Sequence, residues 1–304
     1  MLELIAQHFA WMHNPVAVAR QTLAGISSGM LLFLISAGLS LIFGVLRILN
    51  FAHGALFMFG ALIALSVAAL IPDATTGFAA ALAAAAAGVG VLGAAIETGL
   101  LRRIYRAPHE MQLLLTFALV FVLGDAAKLL WGRDEHSAAM PAALAGSAHA
   151  AGLSFPLYRL FLIAAGAAVA AGLWLMLHRT RWGMFVRAAT MDREMLSALG
   201  VDTRTLFTTV FALGAALAGL GGALAAPIVA VGPGLHVQVL IDAFAVVVIG
   251  GLGSVPGAFL ASLFVGLVNA FGVLAFPGLA VVLTFACMAL VLIVRPRGLM
   301  GAAE

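Results

Sequence analysis

Long apolar runs joined by short polar stretches make up most of the chain. Such runs cover residues 24–43, 54–70, 78–101, 111–130, 158–177, 207–231, 257–275 and 278–294. Each is about the length an α-helix needs to cross roughly 30 Å of hydrocarbon. A ninth run, 239–253, is marginal for a straight crossing. The glycines at 250, 251, 253 and 257 and Pro256 predict that it ends or unwinds inside the membrane. The pattern predicts an all-α, polytopic transmembrane helical bundle of eight to ten crossings, forming one transmembrane domain over 1–304. Broken or re-entrant helices are expected near 44–54 and 249–257.

The stretch Gly44-Val45-Leu46-Arg47-Ile48-Leu49-Asn50-Phe51-Ala52-His53-Gly54 sets Arg, Asn and His between two hydrocarbon runs. Polar groups at or within lipid are expensive and usually face a protein interior or a water-filled path, so this segment points to transport. Ser36, Ser40, Asn50, His53, Thr116 and Asn269 are the membrane-level groups able to hydrogen-bond a passing solute. Bonding to their own helix carbonyls is the plainer reading for the Ser and Thr hydroxyls, and for Asn50 and His53 capping of the helix beginning at Gly54 is an equal alternative.

Composition excludes a water-soluble domain: 64% of residues are hydrophobic and only 9% charged, with a mean hydropathy of +1.17. The first twenty residues carry Glu3, His8 and His13, with no basic leader and no small-residue cleavage site, and read as an interfacial segment. The single Cys287 lies in an apolar run, so no intrachain disulfide forms. The lone lysine, Lys128, sits between Ala127 and Leu129 rather than in a P-loop. No H-E-x-x-H, paired Cys or G-x-S-x-G motif is present. The sequence therefore offers no catalytic, cofactor-binding or metal-ligating set.

Charge sets an orientation. With residues 178–206 on the cytoplasmic side, alternation places eleven arginines there: Arg47, Arg102, Arg103, Arg106, Arg179, Arg181, Arg187, Arg193, Arg204, Arg295 and Arg297. The other side receives four basic residues, Arg20, Lys128, Arg133 and Arg159. The C-terminus is then cytoplasmic, and nine crossings put the N-terminus outside unless one segment is re-entrant.

Two polar segments interrupt the hydrocarbon. Residues 131–157 read as an external loop with weak structure of its own. Within 178–206, a short helix over 191–199 is expected, capped by Thr190, with Asp192 and Glu194 in its first turn and Gly200 as its stop. Such a helix can dock onto a partner; a basic topogenic loop is the plainer reading. Small residues recur every fourth position at Ser36, Ser40 and Gly44, at Gly214, Ala218 and Gly222, and at Gly257 and Ala261, the pattern of closely packed membrane helices. Asp125 and Lys128 are spaced to pair on one helix face. Glu97 and Asp242 could bind a coupling proton or cation; placement near an interface is the plainer expectation.

Three stretches together resemble a known family. Residues 44–54, the run Val248-Ile249-Gly250-Gly251-Leu252-Gly253-Ser254-Val255-Pro256-Gly257-Ala258, and the closing Arg295-Pro296-Arg297-Gly298-Leu299-Met300-Gly301 are similar to the permease subunits of branched-chain amino acid ABC importers, the LivH type. The resemblance runs over roughly residues 20–301. It implies an inner-membrane permease of an ATP-driven importer. The implied partners are a second related permease, two cytoplasmic ABC ATPases and a periplasmic solute-binding protein. It also implies an ATPase-contacting segment at 190–202, with Glu194, Ala198 and Gly200 as coupling residues, and a translocation path containing Asn50, His53, Ser40 and Asn269. Family members often carry Arg directly after the residue matching Glu97. Here Thr98 follows, so no close Glu97–Arg pair is expected. The alternative is a gradient-driven carrier or channel without ATPases, which requires an ionisable group at the membrane midplane. A scaffold without a conduction path would seal Asn50 and His53 from water.

Overall fold

The computed structural model describes residues 13–150 and 153–301. Of the interfacial segment expected over 1–20, residues 1–12 lie outside the described residues, and Pro15 onward is already the first long helix. Among the described residues eleven α-helices follow in order: α1 (Pro15–Leu46), α2 (His53–Leu70), α3 (Ala74–Gly99), α4 (His109–Trp131), α5 (Leu157–Arg179), α6 (Arg181–Met191), α7 (Arg193–Ala198), α8 (Thr203–Ala225), α9 (Leu235–Gly250), α10 (Val255–Ala275) and α11 (Ala280–Val294). Seven of them are long and apolar enough to cross a membrane. The sixteen-residue α9 and the apolar part of α11 are shorter.

Helix starts follow local chemistry. The Asn14 side chain accepts from the Val16 and Ala17 amides ahead of α1, with Pro15 at the first helical position. Asp73 caps α3, Asp202 caps α8, and Ser254 caps α10. Hydrogen bonds from Thr76 to Asp73 and from Thr205 to Asp202 hold both carboxyls below their ordinary range. The stretch expected to be helical through 231 stops at Ala225, because Pro227 has no amide to continue the ladder and Gly232-Pro233-Gly234 follows.

The small-residue stripes mark close helix approaches. α1 packs along α10, where a methyl group on Gly29 would meet the Ser262 carbonyl oxygen at 2.8 Å. α8 runs through the centre against α1, α2 and α3, with the Gly60 and Gly219 backbones in direct contact. Dispersion between backbones at this range replaces the hydrophobic drive that lipid cannot supply.

One end of the bundle gathers the last turn of α1, the turn between α9 and α10, the tail after α11, and residues 179–206. All eleven arginines assigned to one side by sequence lie in these segments or in the 3-10 turn Leu101–Ile104 and the residues just after it. Two details at this basic end differ from expectation. Two helices fill 178–206 instead of one, and Asp192 caps α7, accepting from the Glu194 and Met195 amides. Thr190 lies in the last turn of α6 and donates to the Arg187 carbonyl oxygen. Gly200 is the stop, at φ +85°. At the opposite end, 131–157 is more ordered than expected. It holds a 3-10 turn at Ala142–Leu144 and a hairpin of β1 (Ser147–Ala150) and β2 (Leu153–Pro156), with Ser147 opposite Pro156.

Candidate functional site

α1 ends on Arg47 in the left-handed conformation (φ 56°, ψ 29°), its amide donating to the Phe43 carbonyl oxygen at 2.8 Å. It is the one non-glycine residue with positive φ among the described residues. The chain then turns back along α1. His53, the first residue of α2, places Nε2 at 3.0 Å from the Ile35 carbonyl oxygen. Ile35 precedes Leu46 by eleven positions, so α2 starts roughly 17 Å back from the end of α1. The membrane crossing is therefore broken, as the polar interruption suggested.

The break is held by its neighbours. Its Asn50 carbonyl accepts from the His53 amide at 3.1 Å, and Thr116 donates from α4 to the Leu49 carbonyl at 3.1 Å. Phe51 stacks on Phe244 of α9 at 5.3 Å and meets Phe117 edge-on at 6.2 Å. A methyl group on Gly54 would come within 2.1 Å of the His236 carbonyl oxygen, so α2 and α9 begin in contact.

Asn50 and His53 are fully buried, yet both amide atoms of Asn50 and Nδ1 of His53 lack a hydrogen-bond partner. With Nε2–H donating to Ile35, Nδ1 is left as an unused acceptor. Burying such groups unpaired costs about 1–3 kcal/mol each, so stability does not explain them. Ser36 and Ser40 are likewise buried with unpartnered hydroxyls. By helical spacing they share the stripe of Gly25 and Gly29 that faces α10, around α1 from the Ile35 turn. Asn269 stands apart, its Oδ1 accepting from the Thr284 hydroxyl at 2.6 Å between α10 and α11. Of the expected path residues, the fold thus brings Asn50 and His53 together, puts Ser40 on another face of α1, and leaves Asn269 elsewhere.

The three signature stretches converge. Gly44 meets Gly253, where an added methyl group would lie 3.0 Å from the Gly253 carbonyl oxygen. Gly251, at φ +101°, lies against Gly298 and Gly301. The Leu299 amide donates to Ile249 at 2.8 Å and the Met300 amide to Gly250 at 3.0 Å. The closing tail thereby stitches the end of α9.

At the same basic end, α7 packs against α6 and α8. Glu194, Ala198 and Gly200 are all exposed, while Leu196 is buried as its anchor. Sequence reasoning missed the outer apolar stripe of Met191, Met195 and Leu199, which are 87%, 58% and 74% exposed. Their spacing of four was the available signal. The Arg47 guanidinium reaches the Thr190 carbonyl oxygen at 3.4 Å, linking this surface to the break.

Two charged residues depart from expectation. Glu97 is fully buried and does pair with Arg102, at 3.1 and 3.3 Å through both carboxylate oxygens. It also accepts from the Tyr105 and Thr208 hydroxyls at 2.6 Å each. The 3-10 turn after α3 brings Arg102 back onto its own helix end, a return that linear spacing does not reveal. Asp242 is the eighth of sixteen residues in α9, midway along that helix rather than near its end. Asp125 and Lys128 pair as expected, at 2.8 Å on an exposed face.

The chain is 29% identical over 297 residues to the high-affinity branched-chain amino acid transport system permease protein BraD of Pseudomonas aeruginosa, covering 94% of this chain and 96% of that protein. It is 27% identical over 305 residues to the corresponding protein LivH of Escherichia coli K12, with the same coverage. A shorter match, 27% over 139 residues and 43% of this chain, links it to a probable permease of Methanocaldococcus jannaschii. No solved structure is significantly similar to the chain. The profile of one family, described as the permease component of branched-chain amino acid transport systems, matches residues 21–292. With nearly the whole chain matched and all three signatures meeting at one junction, this multi-pass membrane protein belongs to that family and is a transport subunit.

Proposed function

We propose that the chain forms half of the solute path of a bacterial inner-membrane importer for branched-chain amino acids. A second related permease completes the path, two ATPases grip the basic end from the cytoplasm, and a periplasmic binding protein delivers the solute. The names of the BraD and LivH relatives support the solute class. The excess of arginines at one end supports its cytoplasmic placement, and with it that of the C-terminus.

The observation that carries the mechanism is the contact between Arg47 and Thr190. It joins an exposed surface helix to a buried helix break. In this reading the ATPases bind α7 around Glu194, Ala198 and Gly200, with the Met191, Met195 and Leu199 stripe as the apolar contact. ATP-driven closure moves α6 and α7 as a lever, and the break carrying Asn50 and His53 shifts with them, opening the path to alternate sides. Ser40 and Asn269 line the path on the faces of α1 and α10 once the bundle rearranges. Specificity rests largely with the binding protein, so the permease path needs only sparse polar groups.

The test is ATP-driven uptake by the assembled importer in proteoliposomes. The double substitution Glu194→Lys with Gly200→Pro is expected to abolish uptake while leaving the permease folded. Uptake at the wild-type rate would remove the coupling role. Solute accumulation by this chain alone, under a proton or sodium gradient, would replace the ATP-driven reading altogether.

A further inference from the structure

Among the described residues, Asp242 is the one carboxylate at the middle of an apolar helix. It is partly exposed on the isolated chain, and among the described residues it has neither an ion-pair partner nor a hydrogen bond to its side chain. An aspartate halfway along a helix is too short to reach the interface as Lys or Arg would. A charge facing lipid there is expensive, so such residues face a water-filled cavity or protein. One turn earlier on the same face lies Gln238, exposed and also without a side-chain partner. Val237 and Ile241 flank the pair, 46% and 44% exposed.

We infer that Gln238 and Asp242 form a solute-recognition site on α9 for a zwitterionic α-amino acid with an aliphatic side chain. The Asp242 carboxylate accepts from the solute's ammonium group, and the Gln238 amide donates to its carboxylate. Residues four apart on a helix place their Cβ atoms about 6 Å from each other, a separation two such side chains can close around one amino-acid head group. Val237 and Ile241 provide the apolar surface for the side chain. A cation of the opposite sign alone would use Asp242 but leave Gln238 without a role. The site rests on the same support as the break, since Phe244 stacks on Phe51 and Gly54 abuts His236. Movement of the break therefore carries the site with it.

This inference rests on the importer reading, and one set of measurements separates the two. The complete importer, with both permeases, the ATPases and the binding protein, is reconstituted in proteoliposomes and tested with L-leucine. Asp242→Asn is expected to lower uptake by about tenfold or more, the order of a lost charge-assisted hydrogen bond, with ATP hydrolysis retained. Gln238→Leu is expected to lower it less, and Asp242→Glu to restore much of it. In a Cys287→Ser background, Asp242→Cys is expected to react with a charged thiol reagent, more slowly when L-leucine and the binding protein are present. Wild-type uptake in both neutral variants overturns the site and leaves the importer reading intact. So does an unreactive Asp242→Cys, or labelling that L-leucine does not slow. Failure of the wild-type complex to move L-leucine overturns both.

Discussion

The turn at 251–254 packs through Gly253 on Gly44 in the last turn of α1, three residues before the break at 47–52, but turn and break are made of different materials. The first is Gly-Leu-Gly-Ser, with positive φ at both glycines, a serine cap for α10, and two backbone hydrogen bonds from the closing tail just before it. Its two glycines and its serine each have a structural task. The second is Arg-Ile-Leu-Asn-Phe-Ala, carries a non-glycine residue in the left-handed region, and leads into buried polar atoms without partners. A chain that only needed to reverse direction had a cheaper solution available within contact distance. The costly version therefore marks the segment whose polar groups are used, and the glycine version is its fixed abutment.

The largest effect should come from attacking the abutment. In Gly251→Val a side chain would be forced to φ +101° with the Gly301 amide only 2.5 Å from the new Cβ. The left-handed strain alone is of order 1–3 kcal/mol. We expect no stable assembled complex on size-exclusion chromatography in detergent; a monodisperse complex would show that the tail contact is dispensable. Asn50→Leu and His53→Leu probe the other side. Each removes unpaired buried polar atoms worth about 1–3 kcal/mol of penalty, so thermal stability should hold or rise while ATP-driven uptake falls. A drop in melting temperature with full uptake would make these residues packing groups only. Arg47→Gly should have the smallest effect. Glycine relieves a left-handed backbone cost of roughly 1–2 kcal/mol, so stability should rise slightly, and loss of the Thr190 contact should lower solute moved per ATP hydrolysed. An unchanged ratio would remove Arg47 from the coupling route.

Much of the fold was legible because lipid imposes one rule on every crossing: backbone polar groups must be satisfied within the segment. All nine apolar stretches read from the chain correspond to helices. The break near 44–54 showed in the same pattern, through Arg47, Asn50 and His53. Where Pro227 stopped α8 early, hydropathy outvoted the missing amide. α6 was not read because its eleven residues mix arginines with apolar side chains and give no long run. The hairpin at 147–156 lies in an Ala- and Ser-rich stretch whose composition favours no element.

The site was less legible, since its residues meet across the fold. Nothing in spacing joins Glu97 to Thr208, or shows that Asn269 answers Thr284 and not Asn50. Asp242 was visible as a charge, but its depth depends on where α9 begins. That start is set by Gly234 and by contact with Gly54, not by local hydropathy.

The amino-acid sequence by itself determined that this is a membrane-embedded helical bundle with one basic face, because hydrophobic length, arginine placement and small-residue spacing act locally along the chain. Tertiary structure alone decided which polar groups share a face, which are left without partners, and that the three signature stretches form one junction. Those outcomes depend on helix-to-helix approach distances, which are set by backbones far apart in sequence.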